Sequence, residues 1–143
     1  MAFEARMRGY DVMARPSWGA EDPLRIAREW LSAFEYSPDD IRKANGKTSD
    51  EIIKSVEEIM RSFGEGSRAV IWFQWHDKRM GDGHAIVAEC KKGGVVNFGD
   101  PQNKSGSAKK ILRLAMLDSV GILRVDNLNF TDIVKRCCMN RSD

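Results

Sequence analysis

The sequence predicts an α+β fold, because helical patterns come first along the chain and strand patterns come later. The clearest helical pattern follows the capping-box sequence TSDE at residues 48–51 and ends at Phe63. The clearest strand pattern is RAVIWFQW at residues 68–75, whose β-branched and aromatic side chains are typical of a buried strand. Polar and apolar residues then alternate on both sides of a Gly-Gly pair, which predicts a hairpin. We expect N-terminal helices packed on a small antiparallel sheet of about four strands.

Length and composition fit a single domain spanning residues 1–143. A hydrophobic content of 42% argues against a disordered chain. The net charge of +2 gives no reason to expect nucleic acid as a partner, and the short basic clusters are interpreted as solvated faces. No apolar segment approaches the roughly 20 residues of a membrane span, so no membrane partner is expected. Three cysteines do not make a disulfide framework, which favours a reducing compartment.

The N-terminal part of the chain contains two further predicted helices. Residues 1–8 have the composition of the end of a helix, and Gly9 suits the left-handed position that follows one. Because no N-cap precedes Phe3, we expect the chain to begin inside this helix and to be N-terminally truncated. Residues 10–15 are predicted to be extended, and an Asp-Pro pair at 22–23 predicts the next helix start.

The remaining elements lie before and after the hairpin. Pro38 and the Asn-Gly pair at 45–46 indicate a loop ahead of the capping box. Residues 108–117 are predicted to form a short helix, 120–125 a strand and 130–138 a final short helix.

The predicted hairpin brings a histidine and an aspartate together. If its loop is the three residues 92–94, the numbers of facing residues sum to a constant, so His84 faces Gln102 and Ile86 faces Asp100. His84, Asp100 and Gln102 then lie at one end of one face, as a base, an acid that can orient it and an amide donor. A two-residue Gly-Gly turn would instead put Asp100 on the opposite face.

His84 is a candidate base, metal ligand or core histidine. A base is favoured because the Gly-Asp-Gly sequence at residues 81–83 permits close approach, and because Asp100 ends the neighbouring strand. A metal would need a second histidine or a cysteine pair nearby, and the sequence offers neither convincingly, so we expect no metal and no cofactor. His76 is either a second site histidine or a solvated loop residue, and the solvated residue is the preferred interpretation.

A histidine–carboxylate pair without a metal needs a nucleophile. Cys90 lies six residues from His84 on the same strand, roughly 20 Å away at ~3.3 Å per residue, whereas a base must lie within about 3 Å of its nucleophile. Cys90 is therefore predicted to be a small core residue. Cys137 and Cys138 fall in the last predicted helix, where we expect one to pack and the other to be exposed. The residues thus provide a base and an acid without a convincing third member.

Four segments, taken in order, resemble the papain-fold toxin (Tox-PL) family, papain-like cysteine hydrolases found in bacterial polymorphic toxins and in some phage head-associated proteins. They are FEARMRGYDVMARP at residues 3–16, GHAIVAE at 83–89, FGDPQ at 98–102 and LRVDN at 123–127. The resemblance implies a papain-like fold in which His84 matches the base, Asp100 the orienting acid and Gln102 the amide after the aspartate.

The same resemblance places the nucleophilic cysteine at the start of the helix that leads into the RG-x-DV segment, which is upstream of Met1. It implies attack by a thiolate on a carboxamide, and it favours deamidation of a glutamine on a target protein over proteolysis, which shares the mechanism. Without that cysteine the 143-residue chain is expected to be inactive, or nearly so, as an amidase. An immunity protein is a further expected partner. The alternative is a non-catalytic binding or phage head-associated structural module.

Overall fold

The computed structural model describes residues 2–14, 31–101 and 107–141, and these group into two compact units. The terminal unit combines Met1–Tyr36 with Leu128–Asp143, and the central unit is Ser37–Asn127. The helix start predicted at residues 22–23 lies outside the described residues. That residues 1–143 act as a single domain stays a prediction.

Helices and antiparallel strands make up the described chain, which confirms the α+β prediction. In chain order the elements are α1 (Ala2–Met7), β1 (Val12–Ala14), β2 (Ile41–Lys43), α2 (Ser49–Phe63), β3 (Arg68–Gln74), β4 (Gly83–Cys90), β5 (Val96–Gly99), α3 (Lys109–Leu112), β6 (Gly121–Arg124), α4 (Val134–Cys137) and β7 (Cys138–Asn140).

The terminal unit joins the two ends of the described chain. β1 pairs with β7 as an antiparallel ribbon, and Phe34 forms an isolated bridge with Phe130. α1 ends before Gly9, whose φ of 93° is the left-handed conformation expected there. Arg8 donates to Glu4 Oε1 at 2.9 Å and to the Leu128 carbonyl at 2.6 Å, and its guanidinium lies 4.2 Å from the centre of the Phe130 ring. One arginine thus ties the end of α1 to the C-terminal segment.

The predicted extent of the final helix, residues 130–138, is wrong. The helix covers only Val134–Cys137, and the chain then extends as β7. Its backbone pairs with β1, more than a hundred residues earlier, so a distant partner determines the conformation there.

The central unit is built on a five-stranded antiparallel sheet in the order β2-β6-β3-β4-β5. The strand that sequence analysis missed is β2, in the region predicted to be a loop. It follows a short 3₁₀ turn at Pro38–Asp40, capped by Ser37, and pairs with β6. Three residues, of which two are exposed and charged, are too few for an alternating pattern to appear.

Helix α2 packs on the sheet much as its sequence predicts. The Thr48 side chain accepts from the Glu51 N–H at 3.2 Å, which confirms the N-cap. The carboxylate of Glu51 reaches the N–H of Lys47 at 2.6 Å, one residue earlier than in a standard capping box. The apolar face of α2 is buried in one core with one face of the sheet, through Ile52, Ile53, Val56 and Met60.

The helix predicted at residues 108–117 is shorter than expected, because α3 stops at Leu112. The following residues run beside the end of β3. The Leu114 carbonyl accepts from the N–H of His76, and the N–H of Met116 donates to the Gln74 carbonyl. Ala115 forms an isolated antiparallel β-bridge with Trp75. These contacts give the backbone groups at the end of β3 their hydrogen-bond partners. The hydrogen bonds outweigh the local preference of residues 113–117 for a helix.

The corner between β3 and β6 is held by the carboxylate of Asp126. Its Oδ1 accepts from the backbone N–H of Arg68 at 2.8 Å, and its two oxygens accept from the Arg124 guanidinium at 3.0 Å each. Partial burial works to raise the pKa of Asp126, and the hydrogen bonds from Arg124 and Arg68 outweigh it, so the pKa lies below its ordinary value.

We expect Asp126→Asn to lower the free energy of unfolding at pH 7 by about 1–2 kcal/mol, after allowance for solvent screening. Because the pKa is lowered by folding, this carboxylate stabilises the fold above its ordinary pKa, and the contribution is lost as pH falls through the lowered value. The difference from the wild type should therefore shrink in acid. Urea unfolding at pH 7 and pH 3 measures it. Asp77→Asn, at an exposed ion pair, is the control and should change stability far less. An undiminished difference at pH 3 would contradict the assignment.

Among the described residues, no helix combines the length and the apolar character needed to cross a membrane.

Candidate active site

The hairpin of β4 and β5 has the register predicted from its three-residue loop. Cys90 faces Val96 and Val87 faces Gly99, and the N–H of Lys91 donates to the Val95 carbonyl at 2.7 Å. The turn is Lys92–Gly94, a short 3₁₀ segment. The register is therefore confirmed, and the two-residue turn that would have moved Asp100 to the opposite face is excluded.

Two glycines, the last turn of α2 and Glu65 just after it hold this turn in place. Gly93 and Gly94 have φ values of 80° and 77°, a conformation that side chains rarely adopt. The N–H of Gly93 donates to Glu65 Oε1 at 3.0 Å, and Arg61 Nε donates to the Gly94 carbonyl at 2.9 Å. The turn that determines the register is thus held from outside the hairpin as well as by its own backbone.

At the other end of the hairpin, His84 and Asp100 are in direct contact. His84 Nε2 lies 2.8 Å from Asp100 Oδ2. The side chains are only 15% and 5% exposed, so the bond is largely screened from water. Phe73 on β3 pairs with His84 on β4, so their side chains lie on the same face of the sheet. This is the face whose residues Phe73 and Ile86 belong to the core, and Asp100 lies on it too.

The contact determines which imidazole nitrogen can act as a base. An ionised carboxylate only accepts hydrogen bonds, so Nε2 of His84 must donate to Asp100. In a neutral ring the proton is then on Nε2, and Nδ1 carries the lone pair. The arrangement can therefore take a proton at Nδ1, while Asp100 stabilises the imidazolium that results.

Aromatic rings surround the imidazole on the β3 side. Trp75 is stacked on it, with ring centroids 5.2 Å apart and planes 24° apart. Phe73 meets the imidazole edge-on at 6.1 Å and Trp75 edge-on at 5.3 Å. Sequence reasoning assigned these residues only to a buried strand and missed their contact with His84. Their spacing of two residues indicates that both lie on one face, but it does not indicate which residue of β4 lies opposite.

The Gly-Asp-Gly segment before His84 has a structural role at its last residue. A Cβ on Gly83 would lie 2.7 Å from the Phe73 carbonyl oxygen, so any larger residue would push β4 away from β3. Gly81 has a φ of 110° and ends the short turn Lys78–Met80. The close approach expected here is therefore an approach of neighbouring backbone to Gly83.

The other histidine and its neighbours lie in an exposed loop. His76 is exposed, as preferred from the sequence, and its N–H is bound to the Leu114 carbonyl. Next to it, Asp77 forms an ion pair with Arg79, in which two nitrogens of the guanidinium donate to Asp77 Oδ2. Hydrogen bonds from Arg79 lower the pKa of Asp77, and the same ion pair raises the pKa of Arg79.

Cys90, the cysteine of the central unit, does not lie beside His84. Cys90 is buried at the far end of β4 and directs its thiol towards the Lys91 carbonyl, which agrees with the core residue predicted. Its separation from His84 along the strand is roughly 20 Å at ~3.3 Å per residue. In the terminal unit Cys138 is buried, as expected for one of the adjacent pair, and the side chain of Cys137 lies outside the described set.

The remaining site expectations concern Gln102 and metals. Gln102 follows directly after the described segment and lies outside it. Within the described residues no group of three or more histidine, cysteine or acidic side chains could hold a metal ion.

A comparison with protein families agrees with the resemblance seen in the sequence. Residues 1–105 match the family model described as papain fold toxin 1, glutamine deamidase. No curated protein and no solved structure matches the chain. The matched region includes the whole β4–β5 hairpin with its histidine and aspartate, and it covers well over half of the sequence. This chain therefore belongs to the papain-fold toxin family of glutamine deamidases.

Proposed function

We propose that His84 and Asp100 are the base and the orienting acid of a Cys-His-Asp site that deamidates glutamine side chains on a target protein. The observation that carries the proposal is the 2.8 Å bond between the imidazole and the carboxylate at the buried end of the hairpin. Family membership supports the reaction, since the matched family is one of glutamine deamidases. Gln102, next to this pair in sequence, is proposed as an amide donor to the substrate.

In this mechanism the thiol proton moves to Nδ1 of His84, and the thiolate attacks the carboxamide carbon of the glutamine. The tetrahedral intermediate collapses as the C–N bond breaks, and the imidazolium returns its proton to the departing ammonia. A thioester remains. Water then attacks it, giving a proton to Nδ1, and the thioester bond breaks to release glutamate and the thiol. Proteolysis would follow the same steps with an amine as the leaving group.

The nucleophile is the member of the site that the central unit does not provide near His84. We propose that it is a cysteine N-terminal to Met1, ahead of α1, in keeping with the family pattern that the segment at residues 3–16 resembles. The 143-residue chain alone should then have the base and the acid without the thiolate, and it should release no ammonia from glutamine. An immunity protein that covers this site is proposed as a second partner besides the target.

A labelling experiment tests the proposal. The 143-residue chain and a version extended through the preceding codons of its gene are treated with a chloromethyl ketone of glutamine, and adducts are counted by mass spectrometry. We expect one adduct on the extended protein, and release of ammonia from a glutamine-containing peptide by that protein alone. Iodoacetamide labelling of both proteins provides the control for general thiol reactivity.

Two outcomes would overturn parts of this proposal. Equal labelling of both proteins would move the nucleophile to one of the three cysteines of the 143-residue chain. An extended protein that has a cysteine at the expected place, takes no label and releases no ammonia would remove the enzyme proposal.

The second candidate function is a non-catalytic binding module, for example a phage head-associated structural domain that keeps the fold. The observation that favours it is the distance of Cys90, the cysteine described in the central unit, from His84. This candidate predicts that the preceding codons encode no cysteine within two helical turns of Met1.

A further inference from the structure

We propose that Trp75 is a positioning residue for His84, whose indole face sets the plane of the imidazole and thereby the direction of Nδ1. The consequence for catalysis rests on the proposed function, whereas the geometry of the ring pair does not. Trp75 acts through His84 and is not itself proposed to touch substrate.

The imidazole of His84 is held at one atom by Asp100 and at one face by Trp75. A histidine side chain has two rotatable bonds, and its tether to β4 leaves both free. The hydrogen bond from Nε2 to Asp100 holds one ring atom. The imidazole can still rotate about the axis that joins its Cβ to Nε2. A flat surface against the ring face removes this last freedom. Trp75 provides it, with planes only 24° apart.

Trp75 is itself held firmly by its neighbours. The residue is 9% exposed and belongs to the main core. Phe73 meets it edge-on at 5.3 Å, an arrangement favoured between aromatic rings. Its backbone bridges Ala115 on the neighbouring segment. The indole is therefore supported from both the sheet and the core.

Trp75 also limits the access of water to the His84 ring. A ring stacked on the imidazole covers one of its faces, and the side chain of His84 is left 15% exposed. Fewer water molecules then compete with Asp100 for the Nε2 proton, and the hydrogen bond is stronger in the drier surroundings. Trp75 should thus favour the tautomer in which Nδ1 is the free base.

The chain contains a matched control in Trp72. Trp72 lies on β3, three residues before Trp75, and its side chain is on the opposite face. It packs against Gly121 on β6, so closely that a Cβ at residue 121 would overlap the indole. Replacing either tryptophan by phenylalanine removes the same chemical group, but of the two it is Trp75 that is stacked on His84.

The experiment uses the 143-residue protein labelled with ¹⁵N and ¹³C in its two histidines, with His84→Ala to assign the signals. Wild type, Trp75→Phe, Trp75→Leu and Trp72→Phe are compared by NMR. We expect the ring protons of His84 to be shifted upfield by the indole in the wild type, and the ring nitrogens to report a proton on Nε2. Trp75→Leu should remove the upfield shift and move both nitrogens towards the averaged values of two exchanging tautomers. Trp75→Phe should fall between, and Trp72→Phe should match the wild type.

A folded Trp75→Leu protein whose His84 nitrogens keep their wild-type values would overturn the inference, because Trp75 would then be only a core residue. If Trp75→Leu does not fold, the same comparison is decided by Trp75→Phe. A wild-type protein with the proton on Nδ1 would also overturn it.

An activity measurement separates this inference from the proposed function. In the extended protein, Trp75→Phe should lower kcat about 10-fold with KM nearly unchanged, a loss of about 1.4 kcal/mol in transition-state stabilisation. NMR changes as expected in a protein that never releases ammonia would support the positioning role and refute the deamidase. An active enzyme whose His84 signals are unchanged in the Trp75 variants would support the deamidase and refute the positioning role.

Discussion

His84→Ala is expected to lower kcat/KM for glutamine deamidation by about 10³- to 10⁴-fold in the form of the protein that carries the catalytic thiol. The variant loses the proton acceptor for the thiol and the proton donor for ammonia in one step. A water molecule in the space left by the ring would be a much weaker base than the imidazole that Asp100 orients. Ammonia release from a glutamine-containing peptide, followed with a coupled assay, provides the measurement.

The control for this prediction is His76→Ala. It removes the other histidine of the chain, which is exposed in the loop after β3, and activity should stay near the wild-type value. An equal loss in both variants would point to a general effect of removing imidazoles and contradict the assignment of His84.

Asp100 variants should give a graded result in the same assay. Asp100→Ala removes the acceptor for Nε2 and should lower the rate markedly, whereas Asp100→Asn keeps an oxygen that can accept from Nε2–H and should retain more activity. The order wild type, Asn, Ala is the signature of an orienting role. Equal rates for all three would show that the bond to His84 does not serve catalysis.

Gly121→Val is expected to lower the free energy of unfolding by about 3 kcal/mol. Gly121 is buried on β6, and a Cβ built there would lie less than 3.0 Å from three atoms of the Trp72 indole. The indole is rigid and lies on the adjacent strand β3, so the clash can be relieved only by moving a ring or parting two central strands. Urea unfolding followed by circular dichroism measures the loss.

Gly99→Ala is a suitable control, because it is also a glycine in a strand and its Cβ would meet Val87 at an ordinary 3.4 Å. A second check combines Gly121→Ala with Trp72→Leu. If the clash with the indole is the cause, the double variant should lose less stability than the two single variants together. Strict additivity would place the cause elsewhere.

The hairpin that holds the candidate site could be predicted residue by residue. Its arms alternate in polarity and two glycines mark the loop, so only the choice between a three-residue and a two-residue turn stayed open. The three-residue register places His84 and Asp100 at the same end of one face, where their side chains can meet. Helix α2 was predictable for a similar reason, because its cap and its apolar face are both encoded within its own residues.

The elements that sequence analysis missed or misjudged depend on distant partners. β2 and β7 have three residues each, and each is defined by pairing with a strand far away in the chain. The segment after Leu112 leaves its helix to pair with the end of β3. Trp75 was missed for the same reason. Its contact with His84 exists only once β3 and β4 pair with Phe73 opposite His84, and no local pattern in the sequence predicts that register.

The construction of the terminal unit has a consequence for protein synthesis. Arg8 and β1 emerge from the ribosome early, but their partners, the Leu128 carbonyl and β7, are made more than a hundred residues later. At 5–20 residues per second this delay is roughly 5–20 s, whereas the strands of the central sheet find their partners sooner. The N-terminal segment should therefore stay without its native contacts until translation is nearly complete.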